Sequence, residues 1–453
     1  MPEILRAQAS DFCSNKMGVG KTLTSIATMG AMYEMGAIER VLIVAPTSVC
    51  PVWPKDMQEQ ADFTFTTALL TGAKDKRIKA LKALDKVGDG TLKVAVINFE
   101  SCWRDEIFDG LIEYDADLII ADESQRIKSH NAEQSKAMHK LGDLARYKLI
   151  LSGTPVQNNA IDIYSQYRFL DPSVFGTNFY AFRGKYAIMG GFNRKQIVGY
   201  RDLDELIKKE YSIAYRVTKE EALDLPEQTF IVRNIPLEGK AKELYQELKR
   251  NSYAELDNGD TVTAPTVLTK LLRLQQFTGG YIQPDDGAPE FVFDGKIKAL
   301  EDIIDDYVIG EGKKLVIFCR FRPEIGLISK LIEKKKIGYQ AIYGDIKIED
   351  RGEIVKDFQE NPKTMIFLAQ IDTAGLGITL TAADTCVYYS ANFNYAAYSQ
   401  SLSRIHRIGQ RNTCTYIQLV VERTIDKDIY KALEAKEDLA NTIVNDWRRL
   451  FAP

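Results

Sequence analysis

Four short apolar runs limit what the first part of this chain can become: VLIVA (41–45), VAVINF (94–99), DLIIAD (117–122) and KLILSG (148–153). Continuous apolar runs bounded by turns are what buried parallel strands look like. Polar, helix-like segments alternate with them, which is the rhythm of βαβ units. The second half repeats it with KLVIFCR (314–320), YQAIYG (339–344), TMIFLAQ (364–370), TCVYYS (385–390) and TYIQLV (415–420). The class predicted is α/β, with two lobes in tandem, each a parallel sheet covered by helices.

Residues from about 156 to 290 break the rhythm: IDIYSQYRFL, LDELIKKEYS and AKELYQELKRNSYAEL have helical periodicity and many tyrosines. The DLPEQ turn at 224–228 and QPDDGAPE at 283–290 read as connectors. The predicted division is residues 1–220 for the first lobe, with a helical insertion from about 160, and 221–453 for the second, with a helical lead-in to about 290.

A net charge of −4 means that a nucleic-acid partner would have to be met by locally concentrated positive charge. Six scattered cysteines with no C-x-x-C pair read as reduced thiols, and the three histidines have no zinc-ligand spacing. The apolar runs are far shorter than a membrane span, and no signal segment opens the chain.

NKMGVGKT (15–22) precedes a helix-like stretch. Phosphate oxygens are cradled by backbone N–H groups that glycines bring together at a helix N-terminus. A lysine then serves the terminal phosphates and a hydroxyl serves Mg²⁺. Gly18, Gly20, Lys21 and Thr22 fit these roles, although position 15 is Asn where the strict pattern has Gly. In DLIIADESQ, a strand ending in Asp122-Glu123 presents carboxylates at the edge of a parallel sheet. Asp122 suits Mg²⁺, and Glu123 suits orienting and deprotonating an attacking water. KLILSGTPVQNN places Ser152 and Thr154 at a third strand end, where they could sense the nucleotide. In QSLSRIHRIGQR, Arg404 and Arg407 are three apart, so on a helix they would share a face.

Taken in order, MGVGKT, VLIVAPTSVCPVW, VINFES, DESQRIKS, LSGTPVQNN, RVTKEEALDLPEQ, KLVIFCRF, YGDIKIEDR, TAGLGITLTAADTCVYYS and QSLSRIHRIGQ make the chain resemble the Swi/Snf-type ATPases of helicase superfamily 2. The resemblance covers nearly the whole sequence and implies two RecA-like lobes. It implies a DNA-dependent ATPase that uses ATP and Mg²⁺ and couples hydrolysis to translocation on double-stranded DNA. It carries Lys21, Asp122, Glu123, Gln125, Arg404 and Arg407 over as catalytic, the two arginines as fingers on the terminal phosphates. It assigns Gln8, Met17, Gly18, Val19, Gly20, Lys21, Thr22, Gly375 and Gln400 to the nucleotide, and Thr22 and Asp122 to the metal. Contacts to the DNA backbone fall on Thr47, Ser48, Asn98, Arg320, Gly344 and Thr373, with Pro46, Trp53 and Arg322 as further candidates. A solvated amphipathic helix is the reading of KDKRIKALKALDK (74–86).

The N-terminus departs from the family pattern. Gln8 and Lys21 are only 13 positions apart, DFCS is a poor buried strand, and Asn15 and Lys16 stand where the family has an acidic pair. This predicts a gap or frayed position beside VLIVA and an impaired ATPase. A strand-separating helicase and a hydrolysis-impaired DNA-binding module are the alternative functions. A monomer in the cytoplasm of a bacterial or phage-infected cell is expected.

Overall fold

The computed structural model describes residues 10–15, 20–153, 155–156, 159–191, 193, 196–217, 223–251, 253–255, 261–263, 267–284, 288–347, 350–376 and 378–445. Two compact units divide the chain: Met1–Leu223 together with Lys436–Pro453, and Asp224–Ala435.

In the first unit the strands are β1 Ser10–Asn15, β2 Arg40–Ala45, β3 Phe65–Leu69, β4 Leu92–Asn98, β5 Leu118–Asp122, β6 Tyr147–Ser152, β7 Ala187–Gly190, β8 Gln196–Tyr200 and β9 Ala214–Val217. Seven of them form one sheet in the order β3-β4-β2-β5-β6-β1-β9, and every pair is parallel. Alternate residues face opposite sides: Leu42, Val44, Ala95, Ile97 and Ile119 join one apolar cluster, while Val41, Ile43, Val94, Val96 and Ile120 join another. Both faces are therefore packed, which is why the runs show no polar alternation. The remaining strands, β7 and β8, pair as an antiparallel hairpin after the helices Ile163–Leu170 and Phe179–Tyr186.

The expectation at the N-terminus is corrected here. DFCS lies within β1, whose register with β6 runs from Ser10↔Lys148 to Ser14↔Ser152, while its other edge pairs with β9. Parallel pairing uses backbone groups, so a polar strand can still fill the slot. No gap lies beside VLIVA, because β2 is flanked by β4 and β5 in continuous register.

The second unit contains β10 Gln228–Ile235, β11 Tyr253–Glu255, β12 Thr261–Thr263, β13 Tyr281–Ile282, β14 Glu290–Phe291, β15 Leu315–Cys319, β16 Gly338–Ile342, β17 Thr364–Gln370, β18 Thr385–Tyr388 and β19 Cys414–Val421. Six form a sheet ordered β10-β19-β18-β15-β17-β16, again parallel throughout. The class is thus α/β with two parallel sheets in tandem. One correction concerns the lead-in to residue 290, which is not wholly helical: QTFIVRNI forms the edge strand β10. Its Phe230 and Val232 are about half exposed (50% and 52%), so it lacks the buried-run signature of the inner strands. Among the described residues no helix is long and apolar enough to cross a membrane.

Candidate active site and nucleic-acid surfaces

Lys21 opens the helix Lys21–Glu34 directly after Gly20, whose φ of 89° lies in the left-handed region. A Cβ at Gly20 would meet nothing within 4 Å, so glycine is favoured there by torsion rather than by space. The Lys21 Nζ is buried without a hydrogen-bond acceptor among the described residues, and lies 4.0 Å from Glu123 Oε1. Thr22 follows it in the first helical turn.

Asp122 is the last residue of β5 and pairs with Leu151 of β6, which fixes it at the carboxyl edge of the sheet. Burial pushes its carboxyl up to about 6; the Glu123 charge adds to this, while Lys21 and the Trp53 N–H oppose it. Trp53 Nε1 donates to Asp122 Oδ2 at 3.0 Å. This moves Trp53 from the DNA candidates to the core, where it is 1% exposed and aims the acid.

Glu123 adopts φ 55°, ψ 53°, a conformation that costs a non-glycine residue about 1–2 kcal/mol. The turn holds the carboxylate toward Lys21 as the chain enters the 3-10 helix Ser124–Ile127. Gln125 Nε2 donates to Glu123 Oε2, and Ser152 Oγ donates to Gln125 Oε1 at 2.7 Å. Ser124 Oγ donates to Gln166 Oε1 at 2.8 Å, and Gln166 Nε2 donates to Pro155 O at 2.8 Å. Two hydrogen-bonded routes thus join the ADESQ turn to the loop after β6. Gln166 was not singled out in the sequence, although a buried glutamine on an amphipathic helix is a signal that it has partners.

The structure therefore brings Lys21, Asp122, Glu123, Gln125 and Ser152 together. Gln8, Met17, Gly18, Val19 and Thr154 lie outside the described residues. The donor set fits Mg²⁺: a buried carboxylate at Asp122 that a cation would relieve, and a hydroxyl at Thr22 on the residue next to a buried lysine.

Arg404 and Arg407 are in the second unit, and the geometry predicted for them is corrected. The helix there is Tyr395–Leu402, so both arginines lie in the turns beyond it and share no helical face. They converge by another route, each donating a guanidinium N–H to Ile378 O at 3.4 Å. Gly409, with φ 99°, then turns the chain toward β19. Gln400 is half-buried on that same helix, and Gly375 belongs to the 3-10 helix Ile371–Leu376.

The nucleic-acid candidates occupy the carboxyl edges of both sheets. In the first unit Asn98, the last residue of β4, pairs with Ala45, which Thr47 and Ser48 closely follow. Asn98 Oδ1 accepts from Arg77 at 2.9 Å, and its Nδ2 donates to Glu100 Oε2 at 2.9 Å. Thr47 Oγ1 donates to the same Glu100 oxygen at 3.3 Å, and Arg126 Nη1 donates to Glu100 Oε1 at 3.3 Å. Partial burial raises the Glu100 carboxyl, but the Asn98, Arg126 and Thr47 groups outweigh it and hold the acid below its usual range. Arg77 belongs to the helix Lys74–Asp85 and also donates to Leu70 O and Gly72 O, so this basic helix is tied to the sheet edge.

In the second unit one neutral side chain plays the joining role. Gln370, the last residue of β17, donates from Nε2 to Arg320 O at 3.0 Å and accepts at Oε1 from Gly344 N at 3.1 Å. Its own carbonyl accepts from Thr373 Oγ1 at 2.5 Å. Beneath Arg320, the buried Glu324 carboxylate accepts from the N–H groups of Arg320 and Phe321 and from Ser390 Oγ. Arg322 pairs with Asp345 at 2.7 Å. Glu100 and Gln370 were both missed; each sits at or just past the end of an apolar strand, and its role comes from partners on separate segments.

Comparison with known proteins gives these edges a family. The SNF2-related domain matches residues 8–279, and the helicase conserved C-terminal domain matches residues 295–409. An uncharacterized ATP-dependent helicase of Mycoplasma genitalium is 24% identical over 97% of this chain and 41% of its own length. A chromodomain-helicase-DNA-binding protein 1-like of Danio rerio is 24% identical over 98% of this chain and 43% of its own. The chain thus spans less than half the length of these curated relatives. Among solved structures, the Sulfolobus solfataricus SWI2/SNF2 ATPase core in complex with dsDNA aligns at 24% identity and a TM-score of 0.42, covering 98% of this chain and 91% of that one. With more than half of its 453 residues matched by one domain and its helicase portion by the next, the chain belongs to the SNF2-related family of helicase-like ATPase domains.

Proposed function

We propose that this chain hydrolyses ATP in a reaction stimulated by double-stranded DNA and uses it to translocate along the duplex. The observation that carries the reading is the buried Lys21 Nζ beside Glu123 and the Trp53-anchored Asp122. Lys21 binds the terminal phosphates, and Glu123 orients and deprotonates the attacking water. Gln125 holds Glu123 and passes its position to Ser152, so the state of the site reaches the loop after β6. Mg²⁺, held by Thr22 and Asp122, would neutralise phosphate charge when bound. Arg404 and Arg407 act as the arginine fingers, planar forks suited to charge spread over transferring oxygens.

DNA is held through its backbone at Thr47, Ser48 and Asn98 on one unit and at Arg320, Gly344 and Thr373 on the other. Hydroxyls, amides and backbone N–H groups at strand ends position a phosphate and carry no sequence information. With β1 paired on both edges, DFCS is no longer a ground for an impaired ATPase, and the chain is read as active. On this reading it works as a monomer in the cytoplasm of a bacterial or phage-infected cell, in keeping with the Mycoplasma relative.

Steady-state ATP turnover with and without duplex DNA tests the first half of the proposal, and a rise on adding DNA is expected. Displacement of a triplex-forming strand without separation of the duplex tests the second. Duplex unwinding instead would favour a strand-separating helicase.

A further inference from the structure

The edge beside β2 and β4 concentrates three arginines in a chain whose net charge is −4. Arg126 donates to the Glu100 carboxylate, Arg104 Nε donates to Glu100 O at 3.1 Å, and Arg77 donates to Asn98 Oδ1. At the centre of this basic surface stands a carboxylate whose partners, Thr47 and Asn98, are themselves the DNA candidates of the first unit. A carboxylate and a phosphate ask for the same donors.

We propose that Glu100 is an internal stand-in for a DNA phosphate: in the DNA-free chain it occupies the Thr47, Asn98 and Arg126 donors that a backbone phosphate would take, and so sets how tightly the first unit holds duplex DNA. The inference rests on the reading that Thr47 and Asn98 face DNA. A phosphate arriving there either displaces Glu100 from its donors or shares them with it. Sharing places two negative charges side by side, which at ~4 Å in water lowers affinity about fivefold. The second unit supplies the contrast, because the residue that gathers Arg320, Gly344 and Thr373 is Gln370, a neutral amide where the first unit has a carboxylate. An anionic competitor on one unit shortens the residence of each phosphate there, which suits a protein that must release the backbone as it moves. It also makes Arg126 a phosphate ligand that the sequence motifs did not mark.

The test is a titration of one labelled duplex of arbitrary sequence with the full chain, without nucleotide, across a salt series. Glu100→Gln keeps the shape and an acceptor oxygen but drops the charge, and should bind about three- to tenfold tighter at low salt. Its affinity should fall more steeply with salt, by about one further phosphate neutralised, because Arg126 is freed. Glu100→Asp keeps the charge and should stay near wild type. Arg126→Ala should bind more weakly, and adding Glu100→Gln to it should recover less than Glu100→Gln gains alone. If wild type binds DNA and Glu100→Gln binds equally or more weakly at every salt concentration, Glu100 organises the surface rather than guarding it, and the inference is overturned alone. If wild type binds no DNA at any salt concentration, the reading beneath it fails as well.

Discussion

At the carboxyl edge of the first sheet three acids, Asp122, Glu123 and Glu100, stand among one buried lysine and the arginines Arg77, Arg104 and Arg126. At the same edge of the second sheet stand Arg320 and the neutral amide of Gln370, with the Arg322–Asp345 pair and the buried Glu324 beside them, while Arg404 and Arg407 lie in the turns that lead into the amino end of β19. The means of support differ as well. Asp122 and Asn98 end strands whose neighbours fix them in register, whereas Arg404 and Arg407 lie in turns and both donate to Ile378 O. On the proposed function, the first unit holds the phosphate chain and supplies the base that activates water. The second carries permanent positive charge in the turns between the helix Tyr395–Leu402 and β19.

If the second unit's part is charge alone, removing one guanidinium should cost rate and little else. Arg407→Ala is expected to lower DNA-stimulated turnover by about 10³-fold or more, with nucleotide affinity much less changed. Steady-state kinetics beside nucleotide-binding titrations check this, and a change in DNA affinity alone would move the arginine out of the ATP site. A smaller effect probes the strand-borne side. Trp53→Phe removes the N–H that aims Asp122 and should raise the Mg²⁺ concentration needed for half-maximal turnover about 10–100-fold, as loss of a partner to a metal ligand does. A Mg²⁺ titration of turnover reads this, and an unchanged midpoint would make Trp53 packing only.

A negative charge can also be placed on the neutral hub of the second unit. Gln370→Glu gives the second unit the anionic centre of the first and should weaken duplex binding about three- to tenfold at low salt. Equal affinity would show that the two hubs do not differ in the way their charges suggest.

The smallest effect is one of stability. Burial pushes the Glu324 carboxyl up to about 7, against the opposing pull of Ser390, the Phe321 and Arg320 N–H groups and Lys296. A raised pKa means that the native state holds the proton more tightly than the unfolded chain. The associated stability is fully present below about pH 4.5, the ordinary glutamate range, and is lost as pH rises through about 7. Thermal melts from pH 5 to 8 should therefore show wild type losing on the order of 1–3 kcal/mol that Glu324→Gln does not lose. Parallel melting curves for the two proteins would contradict the assignment.

What could be read from sequence follows the same division. Nine apolar runs named their strands, and with them the carboxylates at strand ends; all but the edge strand β16 are inner strands of the two sheets, where burial on both faces leaves a continuous apolar signature. DFCS and QTFIVRNI left no such signature, and they became strands through backbone pairing to neighbours far away in sequence. Arg404 and Arg407 could be found by motif, but their geometry could not: three-residue spacing suggested a helix that ends at Leu402. Trp53 was visible as a tryptophan in PVWP, yet its partner lies 69 positions away. The Glu100 and Gln370 hubs are likewise defined by partners from separate strands.

The central claim, that Lys21, Asp122 and Glu123 form a hydrolytic ATP site driven by duplex DNA, is tested most directly by Glu123→Gln. ATP binding and turnover are measured with and without saturating duplex for this variant and wild type. Wild-type turnover should rise with DNA, and Glu123→Gln should bind ATP as wild type does but turn it over at least about 10²-fold more slowly. Wild-type turnover in Glu123→Gln, or no response of the wild type to DNA, would contradict that claim.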